Sequence, residues 1–361
     1  MIGFVFSLAI TALTSRTILA ADPPTISLGS LRREGPGSQA WGETREEIVA
    51  AISTWGFFHV TDHGVSPELE RQLSKEMTLF FQASLAEKLT IKRSVNNSRG
   101  FADDELTKQR RDAKQILDIG HTPYPELADD SIENRVLDGY NQFPDPAKFP
   151  TFRSTIDQWY GNCTQLAALL TAVISETLGA SAALFHDHSS FLRLNYYPLV
   201  HDFAIHDSGE TTLGVSRHTD SGFLTILLHD ASADGLEVYS GTRQDAGDGE
   251  WVLVRAQPGA LTVNTGDMLQ VWSNGRFKAP EHRVQKSVTH ERYSAPFFYN
   301  PGYDTTVAPL PHTGTPLYRP INWGQFRRNR FKGDFANHGK ESQIEDYLLL
   351  KSLAATGQEE L

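Results

Sequence analysis

A single cysteine, Cys163, stands in 361 residues. It excludes an intramolecular disulfide and any cysteine-rich metal cluster, and a reducing compartment, the cytoplasm, is the natural expectation. Basic residues are also short: 33 Lys and Arg face 44 Asp and Glu, a formal net charge of -11. A general nucleic-acid binder needs a basic face, so that class of partner is set aside. Long apolar runs are missing too. The one candidate, Ile2 to Leu13, is too short to cross a bilayer as a helix. No Lys or Arg precedes it and Arg16 follows it, although Ala20-Ala21 offers small residues for cleavage. Residues 1–24 therefore read as an N-terminal extension, with a secretion signal as the minor alternative. There is no internal repeat and no low-complexity tract. What remains, 39% hydrophobic and 21% charged, fits a soluble globular protein of one large domain or two ordinary ones, expected to be a monomer.

Against these absences, two short strand-like stretches carry chemistry. They are Arg217-His218-Thr219-Asp220 and Pro280-Glu281-His282-Arg283-Val284. In a strand, residues i and i+2 share a face, so His218 and Asp220 aim together while Thr219 faces away. With His282 from a distant strand they make two imidazoles and one carboxylate, the donor set of non-haem Fe(II) oxygenases, which leaves coordination positions open. An isolated His-x-Asp is more often a hydrogen-bonded pair at a strand end. Here an apolar strand, Phe223 to Leu228, follows the pair, and Arg292-Tyr293-Ser294 follows His282. Arg292 and Ser294 share a face, and a guanidinium fork beside a hydroxyl suits a carboxylate. Asn195 and Tyr197 are i, i+2 neighbours on another strand, and Arg193 continues that face. The competing cluster His186-Asp187-His188 follows a helix end and lacks a third ligand in a matching strand, so it reads as a solvated loop. His201 and His206 lie in a polar loop and read as structural or solvent-facing.

In chain order, Thr25–Leu28 predicts a first strand, Glu43–Thr54 a helix with Ile48, Ala51 and Ile52 inward, and Phe57–Val60 a strand after the break at Gly56. Ser66 and Pro67 open a helix whose stripe is Leu69, Leu73, Met77 and Phe80. Lys114–Gly120 predicts a strand, and His121–Pro150 a long loop. Thr151–Leu178 predicts a long helix with Leu166, Leu169, Leu170, Val173 and Ile174 buried and Gly179 at C′. Then come short runs that read as strands: Phe191–Tyr197, Val215–Asp220, Phe223–Leu228, Leu236–Tyr239, Trp251–Arg255, Ala260–Thr265, Met268–Val271, His282–Lys286 and Arg292–Tyr299. Many short strands indicate a sandwich or barrel. Trp323–Gly333 and Ile344–Ala354 predict closing helices.

The ordered set Trp55 to Val65, Asn195-Tyr196-Tyr197-Pro198, His218-Thr219-Asp220, Gly266-Asp267, Ser273-Asn274-Gly275, the His282 stretch and Arg292-Tyr293-Ser294 resembles the Fe(II)/2-oxoglutarate-dependent dioxygenases of the isopenicillin N synthase-like group. The resemblance runs from about residue 25 to about residue 350. It implies a mainly β fold with flanking helices around a double-stranded β-helix, or jelly roll. An N-terminal α/β region would occupy 25–140, and a helix plus the catalytic jelly roll 141–361. It implies Fe(II) on His218, Asp220 and His282, with 2-oxoglutarate as cosubstrate, its far carboxylate on Arg292 and Ser294, Tyr197 bonded to it and Asn195 beside it. O2 is the oxidant, and ascorbate is admitted as reductant. The implied activity is oxidation of a small metabolite (hydroxylation, desaturation or cyclisation), as in secondary metabolism. Related halogenases lack the carboxylate that Asp220 supplies, which favours hydroxylation or another oxidation over halogenation. Leu199–Gly214 is longer and more polar than the connection common in plant members. The first strand, Arg99–Phe101, that loop and the C-terminal helices are expected to line a pocket for a partly apolar substrate. The alternatives are an oxidase of the same fold that does not use 2-oxoglutarate, and a non-catalytic jelly-roll binding module.

Overall fold

The computed structural model describes residues 22–94, 97–107, 110–121, 139–181, 185–199, 213–230, 233–240, 249–286, 289–334 and 341–349, and the structural statements below concern these. Strand β1 (Thr25–Ser27) pairs in parallel with β2 (Phe57–Thr61), and the connection between them holds α1 (Gly29–Glu34) and α2 (Gln39–Thr54). Helix α2 begins four residues before the expected start because Ser38 caps it, accepting from the Trp41 amide. Its buried side is Trp41, Ile48, Ala51 and Ile52. Gly56 ends the segment at φ 65°, and a β-carbon there would lie 2.8 Å from the Pro280 ring, so both conformation and space require glycine.

Helix α3 (Pro67–Gln82) opens on Ser66 and Pro67 as read and buries Leu73, Met77, Phe80 and Phe81, with Leu69 half-buried. A short α4 (Leu85–Leu89) follows on a capping box between Ser84 and Glu87, a signal that hydrophobic spacing does not carry. Then come β3 (Gly100–Ala102), the small hairpin β4 (Leu106–Thr107) and β5 (Arg110–Arg111), and β6 (Gln115–Gly120). Helix α5 (Phe152–Thr177) matches the expected long helix. It buries Ile156, Trp159, Leu166, Leu170, Val173 and Ile174, with Leu169 half-buried and Gly179 at φ 58°. Each such side chain withdrawn from water contributes roughly 1.5–3 kcal/mol, which fastens the helix to the outer face of the sheet.

The remaining strands are β7 (Phe191–Tyr197), β8 (Val215–His218), β9 (Leu224–His229), β10 (Leu236–Tyr239), β11 (Trp251–Leu253), β12 (Leu261–Thr265), β13 (His282–Val284), β14 (Arg292–Tyr299), β15 (Thr306–Val307) and β16 (Ile321–Asn322). Two sheets face each other, the expected jelly roll. One has eight strands in the order β1-β2-β12-β9-β14-β7-β6-β3, and the other four, β11-β10-β13-β8. Strands from before residue 121 thus sit on both edges of the large sheet. Its outer face packs on the helices in one large apolar cluster, and a smaller cluster around Phe57, Tyr197, Leu227, Val238 and Val284 fills the space between the sheets.

Some expectations need correction. Met268–Val271 is not a strand but lies in α6 (Asp267–Trp272). The run is four residues long and, apart from the half-buried Gln270, apolar and buried, too short for a period to distinguish helix from strand. Ile344–Ala354 does not begin as an α-helix: Ile344–Tyr347 is one 3-10 turn, Leu348 bridges Tyr318, and helical backbone is reached only at Leu349. Residues 350–354 lie outside the described residues, as do 1–21, 122–138 of the expected long loop, and 200–212 with His201 and His206. Helix α7 (Trp323–Asp334) fits the other closing helix.

Candidate metal centre and cosubstrate pocket

Strand pairing brings the expected ligands together. His282 of β13 sits directly across from His218 of β8 in an antiparallel register, and Asp220 lies two residues past His218. The ring centroids of the two histidines are 4.2 Å apart. Asp220 Oδ1 is 3.7 Å from His218 Nε2 and 3.5 Å from His282 Nε2. Candidate ligand atoms of all three residues fall within 4.8 Å of one another. Each imidazole has its other nitrogen occupied: His218 Nδ1 donates to the Ser216 carbonyl at 2.8 Å, and His282 Nδ1 to that of Pro280 at 3.1 Å. That fixes Nε2 as the lone-pair nitrogen of both rings, the tautomer a metal ligand needs. Asp220 is held likewise. Its Oδ2 accepts from Thr225 Oγ1 at 2.5 Å and Asn264 Nδ2 at 2.7 Å, which leaves Oδ1 toward the histidines.

The electrostatics fit a cation. Burial, then the nearby His282, pushes the His218 imidazole well below its ordinary range. Burial alone would raise the Asp220 carboxyl, but the His282 and His218 imidazoles and the Thr225 hydroxyl hold it well below the usual carboxylate range. Burial would lower His282, but the Asp220 carboxylate, the Pro280 carbonyl and Glu281 together raise it. A deprotonated carboxylate between two imidazoles is a donor set in which a metal replaces the shared proton.

Beside this cluster lies a buried cation. Arg292 of β14 is 1% exposed, with Nε and Nη1 buried and unpartnered. Its guanidinium sits 5.0 Å from the Tyr197 ring centre, and Arg292 pairs with Tyr197 in the β14–β7 register. Two residues on, Ser294 stands opposite Asn195, whose Nδ2 donates to the Ser294 hydroxyl at 3.3 Å while its Oδ1 has no partner. His229, also facing this corner, is driven well below its ordinary range first by burial and then by the Arg292 charge, so it stays neutral. A buried guanidinium with orphaned donors is costly unless an anion meets it. An incoming carboxylate is the group these residues fit. All seven expected site residues line one cavity: Asn195, Tyr197, His218, Asp220, His282, Arg292 and Ser294.

The far wall is more polar than read. Arg193 forms a fork with Asp118, both bonds 2.7 Å, and reaches Glu105 at 3.0 Å. Glu105 also accepts from Arg93 at 3.0 Å, and Lys114 pairs with Asp112 at 3.0 Å. Arg99 and α7 complete that wall, while β1 contributes no residue to it. Of the competing cluster, His186 is exposed as expected. His188 is half-buried against His121 and Tyr299, its imidazole pushed down to about 4 by burial and then by His121. Sequence reasoning missed Thr225 and Asn264. Asn264, a polar side chain inside the apolar strand β12, was the available signal.

The 2OG-Fe(II) oxygenase superfamily profile matches residues 188–301, and the non-haem dioxygenase N-terminal profile, described from morphine synthesis, matches 23–146. Jasmonate-induced oxygenase 2 of Arabidopsis thaliana is 31% identical over 300 residues, covering 79% of this chain and 74% of that protein. The chain belongs to the 2-oxoglutarate/Fe(II) oxygenase superfamily. Gibberellin 20 oxidase 2 of Oryza sativa subsp. japonica is another similar protein, 31% identical over 314 residues, 85% of this oxygenase and 75% of that one. Among solved structures, JOX2 in complex with 2OG, Fe and JA is similar at a TM-score of 0.68 and 28% identity, over 91% of this chain and 89% of that one. The dioxygenase for auxin oxidation in rice is similar at a TM-score of 0.67 and 25% identity, over 91% of this chain and 100% of that one. This oxygenase is therefore an iron- and 2-oxoglutarate-using enzyme with a jelly-roll core. No helix among the described residues is long and apolar enough to cross a membrane.

Proposed function

We propose that this oxygenase hydroxylates, or otherwise oxidises, an unactivated C–H bond of a small, partly apolar metabolite, using His218, Asp220 and His282 as its iron ligands. One observation carries the reading: three inward donors within 4.8 Å of one another share a cavity with a buried arginine whose donors are orphaned. Bound there, iron with 2-oxoglutarate supplies O2 activation, and decarboxylation to succinate and CO2 drives the oxidation. The chain's own residues do the rest. The Ser216 and Pro280 carbonyls orient the two imidazoles, and Thr225 and Asn264 aim Asp220. Arg292 and Ser294 take the far carboxylate of 2-oxoglutarate, with Tyr197 and Asn195 beside it. The carboxylate at position 220 favours hydroxylation over halogenation.

On the substrate side, Phe191 stacks on Phe298 with ring centres 4.7 Å apart. The guanidinium carbons of Arg99, Arg193 and Arg327 lie 5.2, 5.9 and 5.4 Å from its ring centre. An apolar floor ringed by arginines, in a chain of net charge -11, suits a metabolite with an apolar body and an acidic group. The relatives named for jasmonate and gibberellin point to small metabolites too. A monomeric, cytoplasmic enzyme belongs to the same reading.

The test is aerobic turnover of a panel of small acids and their methyl esters, with succinate and oxidised product both quantified. One succinate per product, with the acids outperforming the esters, is the expected result. Product without succinate would favour the same-fold oxidase, and esters used as readily as acids would remove the acidic group from the proposal.

A further inference from the structure

The Gly266-Asp267 pair has a place that none of the roles above accounts for. It lies against the loop that carries Asp220. The Asp267 amide donates to the Asp220 carbonyl at 2.8 Å and the Met268 amide to that of Gly222 at 2.9 Å. A β-carbon at position 266 would stand 2.3 Å from the Gly222 carbonyl oxygen and 3.0 Å from that of Asp220, so this approach requires glycine. The fully buried Asp267 carboxylate accepts from Arg330 of α7 at 3.2 Å. The same guanidinium donates through Nη2 to the Thr219 carbonyl at 2.9 Å, and its Nε lies 3.4 Å from Glu341 Oε1.

Thr219 separates His218 from Asp220. Its carbonyl belongs to the planar peptide that leads into Asp220, so holding that oxygen limits how Asp220 swings relative to His218. Carbonyls 219, 220 and 222 are all held, and the first of these holds comes from a side chain 111 residues downstream. A lysine presents one point charge, whereas the arginine fork serves a carbonyl and two carboxylates at once.

We propose that Arg330 is a positioning residue of the metal centre: docking of α7 through Arg330 and Asp267 sets the His218–Asp220 geometry, and metal affinity depends on it. This rests on the three-ligand reading above. The probe is Co(II), titrated anaerobically into the full chain with its visible spectrum recorded. Wild type, Arg330→Met, Arg330→Lys and Leu170→Ala are compared, the last being a core truncation in α5 that lowers stability without touching the loop. Arg330→Met is expected to weaken Co(II) binding about 10- to 100-fold and change its spectrum. Arg330→Lys should recover part of the loss, and Leu170→Ala should bind like wild type despite a lower Tm. Wild-type affinity and spectrum in Arg330→Met would overturn the proposal, and so would an equal loss in Leu170→Ala. Should Arg330→Met fail to fold, Arg330→Lys and Glu341→Gln decide, and unchanged binding in both would overturn it. No Co(II) binding by the wild type would instead bring down the three-ligand reading itself.

Discussion

Replacing Arg292 by methionine is expected to move two observables in opposite directions. The guanidinium is 1% exposed, and two of its nitrogens have no partner. In the free protein a charge so placed is a cost, so an apolar side chain of similar length should leave the unfolding free energy unchanged or raise it by about 1–3 kcal/mol. For the cosubstrate the sign reverses. Losing two charge-assisted hydrogen bonds, at roughly 1.5–3 kcal/mol each, should weaken 2-oxoglutarate binding by about 10²- to 10⁴-fold. The assay pairs thermal melts, with and without 2-oxoglutarate, with the KM for 2-oxoglutarate. As a control, 2-oxobutanoate keeps the chelating end but lacks the far carboxylate, so wild type and Arg292→Met should handle it alike. A KM for 2-oxoglutarate within threefold of wild type, or an equal penalty with 2-oxobutanoate, would refute the anchor assignment.

The remaining predictions concern the supports of the site. Thr225→Val and Asn264→Ala each remove a donor from Asp220 Oδ2 and should weaken metal binding about 10- to 100-fold, read by anaerobic titration; unchanged affinity in both would mean Asp220 needs no such orientation. Burial would raise the Glu105 carboxyl, but Arg193, Arg93 and Lys114 hold it down at about 2. Its contribution to stability is therefore full above the usual carboxylate range and fades as pH falls from there toward about 2. Glu105→Gln should lower stability at pH 7 by about 3–5 kcal/mol and flatten that acid limb in denaturant titrations, whereas an unaltered pH profile would count against the network. Cys163 is fully buried and burial pushes its thiol far up, so a thiol reagent should label it only on unfolding; rapid labelling of the native protein would contradict its position in α5.

Parity made the site legible. The i, i+2 spacing of Arg292 with Ser294 and Asn195 with Tyr197 holds for any pleated strand, and the structure puts all four on one cavity with His218 and Asp220, although β8 ends at His218, short of the expected Val215–Asp220, and Asp220 lies in the loop just beyond it. The match between β13 and β8 that sets His282 against His218 is a tertiary register, which the resemblance supplied and spacing alone could not. Helix α6 is illegible in the sequence because Met268 to Trp272 is barely more than one turn with Gln270 as its one polar residue, too little from which to take a period. The Arg193, Asp118 and Glu105 network stayed hidden because its members are 75 and 88 residues apart and each looks like an ordinary surface charge in one dimension. Arg330 was concealed the same way, one arginine among several on α7 whose burial only the fold reveals.

The most direct test of the account is anaerobic addition of Fe(II) to the protein with 2-oxoglutarate, recorded as a visible charge-transfer spectrum for wild type and Asp220→Ala. The account predicts a saturable band in the wild type at one iron per chain, and its loss, together with turnover, in Asp220→Ala. An equally strong band in Asp220→Ala, or none in the wild type, would contradict it.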